Sequence, residues 1–588
     1  MRRAARIPGG IPKGARGAER RFYELADRYL DDRFRFCPTQ ASMAGYRPYD
    51  DRLEDLSARG VRAQIRWARR RRDDLLAIDP DRLSTAARID LDLLRNDVEC
   101  TLFTLRDLRP HVRDPHTYID LLGHAVLFLT LLEPGSPGWP DRLEALLARL
   151  KRVPDLLEAA RSNLENPARV LTDFAIETCG GTLSFLETAL PPCFESAPRL
   201  RAELHRENAR AARALRGFRD WLERHLRPRS GGDWRLGREL WMRKLRHTLQ
   251  SSIEPEVIVR RAEEAIRELR RRMLETAAPI HSRLFPDHRH TGTADDLTDV
   301  IVGEVLSRVG ERRPVRDTLF EEIHRAVDGI KRFIRARGLV ELPPDTDNFR
   351  IEATPGFLDG LAVAFFNPPP ALEPGMKKSF WVSSVPRGGS PEEDRRLEDS
   401  FFREYNHYAL LNLAIHEAFP GHYVQFWHAL RSPIATVYKK VFASGTFAEG
   451  WAVLAEKQMY DAGFEGDDPA ALLVHLKQSL RSPINAILDA RLHTEPLPED
   501  EADRWALDLM RRVGFQEEAE ARGKLRRAKV SSTQLSTYFV GYLELADLLQ
   551  ESRARSGRDF DLPAWNRALL SLGSIPPHHA RALMRGTE

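Results

Sequence analysis

An apolar stripe at helical spacing recurs along almost the whole chain, and this limits the fold more than any other feature. Phe22, Leu25, Ala26 and Leu30 fall at i, i+3, i+4 and i+8, one face of an α-helix. Comparable stripes lie near 61–78, 84–108, 140–164, 196–226, 255–277 and 315–337, and helical spacing resumes at about Glu393 and runs to the C-terminus. Ser84 is placed to cap the second of these, and Pro80 stops the helix before it. The pattern predicts a mainly α-helical protein. A chain of 588 residues exceeds the size at which one simple core stops growing, so a large two-lobed fold is expected. We divide it into a lead-in at 1–16, basic, Gly-rich and expected to be disordered, and one domain at 17–588. That domain has a helical half at 17–340 and a second half at 341–588.

Residues 339–393 depart from the stripe. Pro343-Pro344, Pro368-Pro369-Pro370, Gly375 and Gly388-Gly389 break it. Between the breaks, Leu361–Phe366 and Ser379–Ser384 are rich in aromatic and β-branched residues, which predicts a small antiparallel sheet. The edge of Ser379–Ser384 could accept an extended peptide by strand addition; the other reading is an internal hairpin.

Immediately downstream lies His416-Glu417-Ala418-Phe419-Pro420-Gly421-His422. Two imidazoles six residues apart stand about 120° off one another on a regular helix and could not share one ion. Pro420 has no N–H to donate, and its ring crowds the carbonyl of His416. Gly421 tolerates backbone angles other residues avoid. A distortion there is expected to swing His422 back toward His416. Proline and glycine inside a helical pattern together cost about 4 kcal/mol in propensity, strain usually placed where function requires it. The alternative is a structural kink with no ligand.

The residue types are those of a zinc site with one ion: His416 and His422 as nitrogen ligands, with Glu417 as general base beside the open position. Glu449, on the apolar helix that follows, is the expected third ligand, with Gly450 leaving room for a close helix approach. Glu456, two turns on, is the fallback ligand or a partner that orients a histidine. His428 and His407 are further alternates. Other divalent metals fit such donors with comparable geometry.

Other chemistries lack support. The chain contains no G-x-S-x-G, no Walker A run and no G-x-G-x-x-G. Its formal charge is only +4, and the arginine runs at 69–72 and 270–272 have acidic neighbours, so they read as solvated helix faces and no nucleic-acid partner is expected. Cys37, Cys100, Cys179 and Cys193 form no C-x-x-C pair. The N-terminus lacks the apolar stretch of a signal peptide. The apolar run Ile119–Leu132 is too short to span a bilayer. No membrane association and a cytoplasmic location are expected.

The motif at 416–422, the segment Glu449-Gly450-Trp451-Ala452 and Thr537-Tyr538-Phe539-Val540-Gly541 together resemble the bacterial domain-of-unknown-function family 885, which is grouped with gluzincin-like peptidases. Pro38–Gly45, Arg52–Ser57 and Leu480-Arg481 with Asp489 and His493 extend the resemblance over about 18–585. Tyr423 stands where many members carry a further histidine. The resemblance implies a large helical metallopeptidase-like build, with a channel between two halves that admits short peptides and excludes folded proteins. It implies His416, His422 and Glu449 as ligands and Glu417 as the base. It also implies Tyr538, or Tyr542 on the same face, as a donor to the oxyanion. Arg481, Asp489 and His493 would bind a substrate carboxylate or stand behind the metal ligands; a buried polar pair between helices is the other reading, since Asp489 and His493 are four residues apart. The expected function is a zinc metallopeptidase for short peptides. The alternatives are a metal-dependent amidohydrolase for a non-peptide amide, or a catalytically silent helical binding protein.

Overall fold

The computed structural model describes residues 7–586 apart from 133, 252, 356–357, 359–361 and 433. Residues 1–6 of the expected lead-in, and Leu361 at the start of an expected strand, lie outside the described residues. The protein is mainly α-helical, and the stripes read from the sequence become helices. Ala58–Leu76, Thr85–Phe103, Trp139–Asn163, Arg201–Trp221, Pro255–Leu284 and Leu319–Arg337 correspond to the six named above. Ser84 caps the second, its hydroxyl accepting from the Ala87 N–H at 3.3 Å.

Residues 7–16 correct the expectation of a disordered lead-in. Ile7 is buried in the core formed by the first helices, and the Gly10 carbonyl accepts from the Tyr438 hydroxyl at 2.9 Å. One apolar side chain and one satisfied carbonyl tie this segment to residues far along the chain. Within the arginine runs, Arg71, Arg72 and Arg271 are ion-paired at the surface, Arg71 with Asp32 and Asp74. Arg270, by contrast, is buried and reaches Asp299 and the Val513 carbonyl. The run Ile119–Leu132 falls mostly in the buried His116–Thr130 helix. No helix among the described residues is long and apolar enough to cross a membrane.

The sheet has three strands, β1 (Phe349–Ala353), β2 (Ala364–Asn367) and β3 (Lys378–Val382), in the order β1-β3-β2. β3 runs parallel to β1, with Ile351 opposite Phe380, and antiparallel to β2, with Phe366 opposite Phe380. The sheet is therefore mixed rather than antiparallel. β3 has both edges occupied, so strand addition at Ser379–Ser384 has no edge to use; the free edges belong to β1 and β2. Every residue of β3 is buried, as expected of a central strand.

The sheet meets the motif-bearing helix through β2. His407–Glu417 packs against Leu319–Arg337, Gly445–Asp461, Pro469–Thr494 and β2. Pro255–Leu284 lies along Pro469–Thr494, and Gly445–Asp461 along Ser536–Ser556. Elements from both sides of residue 340 thus build one core around the motif.

Candidate metal centre

Asn406 opens the helix that carries the first histidine, its side-chain oxygen accepting from the N–H groups of Tyr408 and Ala409 at 3.1 and 3.2 Å. The helix stops at Glu417, and a new one begins at His422. The break is complete, two helices joined by an elbow rather than one kinked helix. Inside the elbow, Phe419 N–H donates to the Ala414 carbonyl at 3.1 Å and Gly421 N–H to the Ile415 carbonyl at 3.0 Å. A Cβ at Gly421 would lie 1.8 Å from the His416 carbonyl oxygen, so only glycine fits. The Pro420 carbonyl accepts from the Trp451 indole at 3.0 Å. The elbow returns His422 to His416, with ring centroids 4.8 Å apart and planes at 87°.

Glu449 arrives on Gly445–Asp461, which Ser444 caps through the Phe447 N–H at 3.2 Å. This helix crosses Ser536–Ser556 backbone to backbone. A Cβ on Gly450 would meet the Gly541 carbonyl carbon at 2.3 Å. The crossing brings Glu449 and Tyr538 to the histidines from opposite helices. Glu449 Oε2 lies 3.4 Å from His416 Nε2 and 3.4 Å from His422 Nε2. Ligands held about 2.0–2.1 Å from one tetrahedral ion stand about 3.4 Å apart. That oxygen is buried and has no hydrogen-bond partner among the described residues. A buried unpaired carboxylate oxygen is costly, and a cation between the three atoms would satisfy it. The donors present therefore fit a divalent ion with two imidazoles and one carboxylate.

The electrostatics agree. Burial alone would raise the Glu449 carboxyl, but the two imidazoles hold it far below the usual carboxylate range. Burial opposes charge on His416, yet Glu449 and Glu456 outweigh it and raise its affinity for a proton. The same basicity favours a metal. Glu456 Oε1 lies 2.6 Å from His416 Nδ1. Glu456 Oε2 accepts from Asn412 Nδ2 at 2.7 Å, and Asn412 Oδ1 meets His475 Nδ1 at 2.9 Å. Glu456 thus orients the first histidine and leaves Glu449 to face the imidazole Nε2 atoms. His422 Nδ1 has no such partner among the described residues.

Glu417 points toward the sheet. Its Oε2 accepts from the Phe366 N–H of β2 at 2.8 Å. Burial raises its pKa, the imidazoles lower it, and Glu449 raises it again, with a net upward shift. A cavity of about 380 Å³ opens in front of it, within the size range of pockets for small ligands, about 300–1,000 Å³. His416, Glu417, Glu456, Ala364, Arg527 and Tyr538 are among its lining residues.

Tyr538 and Tyr542 separate clearly. The Tyr538 ring lies 6.3 Å from that of His416, and its hydroxyl accepts from Arg527 Nη2 at 3.3 Å and Gln534 Nε2 at 3.4 Å. Burial and the charge of Glu449 raise its pKa and keep the phenol protonated. Tyr542 does not line the cavity; its charged surroundings are Asp461, Arg272, Asp547 and Arg261. His428 bonds the Glu341 carbonyl and His407 pairs with Glu322, so neither reaches the cluster.

Arg481 lines the cavity and is ion-paired with Glu404 and Glu520, so its charge is already matched there. Asp489 and His493 do not bond each other. Asp489 accepts from Trp241 Nε1, Thr533 N–H and Ser536 Oγ, while His493 Nε2 meets the carbonyls of Ala528 and Ser531. They fasten the Pro469–Thr494 helix to the end of Glu518–Val530 and to the turn that starts the Tyr538 helix, and do not reach His416, His422 or Glu449. Two residues were not anticipated. Asn412 sits four before His416 and so shares its face, a spacing that marks it. Arg527, which has no ion pair among the described residues, reaches Tyr538 from a separate helix and carries no local signal.

Comparison with known families matches residues 38–584 to the family described as "Bacterial protein of unknown function (DUF885)". The chain belongs to the DUF885 family. No curated protein matches this DUF885 chain. Its fold is shared with a "putative lipoprotein of unknown function" from Shewanella oneidensis, at 25% identity and TM-score 0.77, covering 96% of this chain and 99% of the other. It is shared equally with a "putative lipoprotein" from Colwellia psychrerythraea, at 15% identity and TM-score 0.77, covering 97% and 99%.

Proposed function

We propose that this DUF885 protein is a metal-dependent hydrolase, a zinc metallopeptidase that cleaves short peptides. The observation that carries the reading is Glu449 Oε2, buried, without a hydrogen bond among the described residues and 3.4 Å from the Nε2 atoms of both His416 and His422. When bound there, a divalent ion supplies Lewis-acid activation of water and of a substrate carbonyl.

The chain's own residues supply the rest. Glu417, fixed by the Phe366 N–H, takes one proton from the attacking water and delivers it to the leaving nitrogen as the C–N bond breaks. Tyr538, kept protonated, donates a hydrogen bond to the carbonyl oxygen as negative charge builds on it. The free edge of β2 orients the substrate. Phe366 turns its N–H away from β3 to Glu417, so Ala364, two residues earlier and lining the cavity, turns its amide to the same side. An extended peptide laid along Ala364 passes directly by Glu417. Arg527, beside Tyr538, is free to meet a peptide's terminal carboxylate.

The test is bound-metal content and cleavage of a short-peptide library by wild type and Glu417→Gln. Bound metal in both proteins, with cleavage in the wild type alone, supports the reading. Bound metal with no peptide cleaved by the wild type overturns it in favour of a non-peptide amide substrate. Absence of metal binding leaves a helical binding protein. For location, the 25% identical neighbour's description as a "putative lipoprotein" favours a lipid-anchored, non-cytoplasmic placement over the cytoplasmic one expected from the sequence. Fractionation of cells expressing the tagged full-length protein decides between them.

A further inference from the structure

Away from the cavity, three imidazoles and a carboxylate meet where the Pro255–Leu284 helix ends. His281 lies in its last turn and is buried. The chain leaves through Phe285-Pro286-Asp287, and His288 and His290 turn back toward the helix. Glu304, at the start of Gly303–Val309, completes the group. Its Oε2 lies 2.6 Å from His281 Nε2, 3.2 Å from His288 Nδ1 and 3.2 Å from His290 Nε2. Phe285 stacks on His288 at 5.0 Å and tilts against His281 at 5.2 Å, which fixes the rings. None of the four residues lines the cavity beside His416.

One carboxylate oxygen has two lone pairs. Three ring nitrogens aimed at it are more than it can accept in good geometry. Three nitrogens and an oxygen within 4.8 Å of one another are instead the donor set of a small cation. We propose that His281, His288, His290 and Glu304 form a second divalent-cation site, structural in kind, suited to zinc. Imidazole with carboxylate, and neither thiolate nor a cage of oxygens, selects zinc, nickel or copper over calcium and magnesium. Four protein ligands fill a tetrahedral shell and leave no position for a reacting water, which distinguishes a structural site from a catalytic one. The 3.2 Å separations are close to those of a filled shell. The His281–Glu304 contact opens by roughly 0.8 Å to match the tetrahedral edge, a small rotation for a Glu304 side chain that is 31% exposed. The ion ties the end of the helix to the 285–292 turn and to Gly303–Val309. That helix is the one packed along Pro469–Thr494, which carries His475 of the Asn412–Glu456 chain.

The inference is independent of any hydrolase activity, and its test separates the two sites. Full-length protein carrying His416→Ala and His422→Ala is stripped with chelator and titrated with zinc chloride by calorimetry. One equivalent is expected to bind with micromolar or tighter affinity. Adding His288→Ala and His290→Ala is expected to weaken it at least 100-fold, and Glu304→Gln at least 10-fold. As a second measurement that leaves the His416 cluster whole, zinc stoichiometry is expected to fall by one equivalent between wild type and the His288→Ala/His290→Ala protein. Equal zinc binding with and without His288 and His290, in either background, overturns the proposal, as does no binding at micromolar zinc.

Discussion

Replacing Gly541 by alanine tests the helix crossing on which the cluster depends. A Cβ there would lie 1.9 Å from the Thr446 carbonyl oxygen and 2.9 Å from the Gly450 Cα. Ordinary contact begins at 3.4 Å, so the two helices must part by about 1.5 Å. Alanine gains about 1 kcal/mol of helix propensity over glycine. Overpacking costs about 1–3 kcal/mol, and more where the obstacle is backbone that cannot rotate away. The net expectation is a loss of about 2 kcal/mol. Glu449 moves with its helix. A shift of this size pulls its carboxylate out of a shell with bonds of about 2 Å, so zinc affinity should fall at least as far as for a lost orienting group, about 10–100-fold. Gly180 is the control: it is exposed in the Arg169–Ser184 helix with nothing within 4 Å of its Cβ position, so Gly180→Ala should gain about 1 kcal/mol. Guanidinium unfolding followed by tryptophan fluorescence, and zinc competition against a chelator, measure both effects. If Gly541→Ala is as stable as Gly180→Ala and binds zinc like the wild type, the close crossing does not position the carboxylate.

Glu456→Gln keeps the shape at His416 Nδ1 but removes the charge, so zinc affinity should drop about 10–100-fold, read by chelator competition, while the far-UV circular dichroism stays unchanged. Tyr538→Phe should lower kcat by about 100–1,000-fold with little change in KM, and Tyr542→Phe should leave both unchanged in peptide-cleavage kinetics. Burial raises the Glu544 carboxyl from 4.5 to about 6, only partly offset by the Ser251 hydroxyl. Because the folded value exceeds the unfolded one, its stabilising effect is complete below pH 4.5 and is lost as pH rises through 6. Glu544→Gln is therefore expected to be more stable than wild type by about 2 kcal/mol at pH 8. That difference should vanish at pH 4, as measured by denaturant titration at the two values.

Much of this architecture was legible because helices announce themselves locally. The apolar stripes located the long helices, and the Pro420-Gly421 interruption located the elbow. The elbow's outcome, two helices rather than a bend, depends on the Ala414 and Ile415 carbonyls accepting from Phe419 and Gly421, which no spacing rule states. β1 alternates Phe349, Ile351 and Ala353 with Arg350 and Glu352, a strand pattern, but five residues become a strand only when a parallel partner is found well downstream. Glu404 and Glu520, the ion-pair partners of Arg481, lie far from it in sequence, and no spacing links them to it. Asp489 and His493 have the spacing of a pair, yet Trp241, Thr533 and Ser536 occupy the carboxylate first. Glu304 has no sequence relation to His288-x-His290 that would mark it; only the turn of the backbone brings it there.

The tether between the Trp451 indole and the Pro420 carbonyl reaches beyond local packing. Trp451 follows Glu449 by two residues, so the elbow that aligns both histidines is latched to the segment that delivers the carboxylate. One hydrogen bond thus holds the two halves of the cluster in register, and a change at either end of it reaches His416, His422 and Glu449 together.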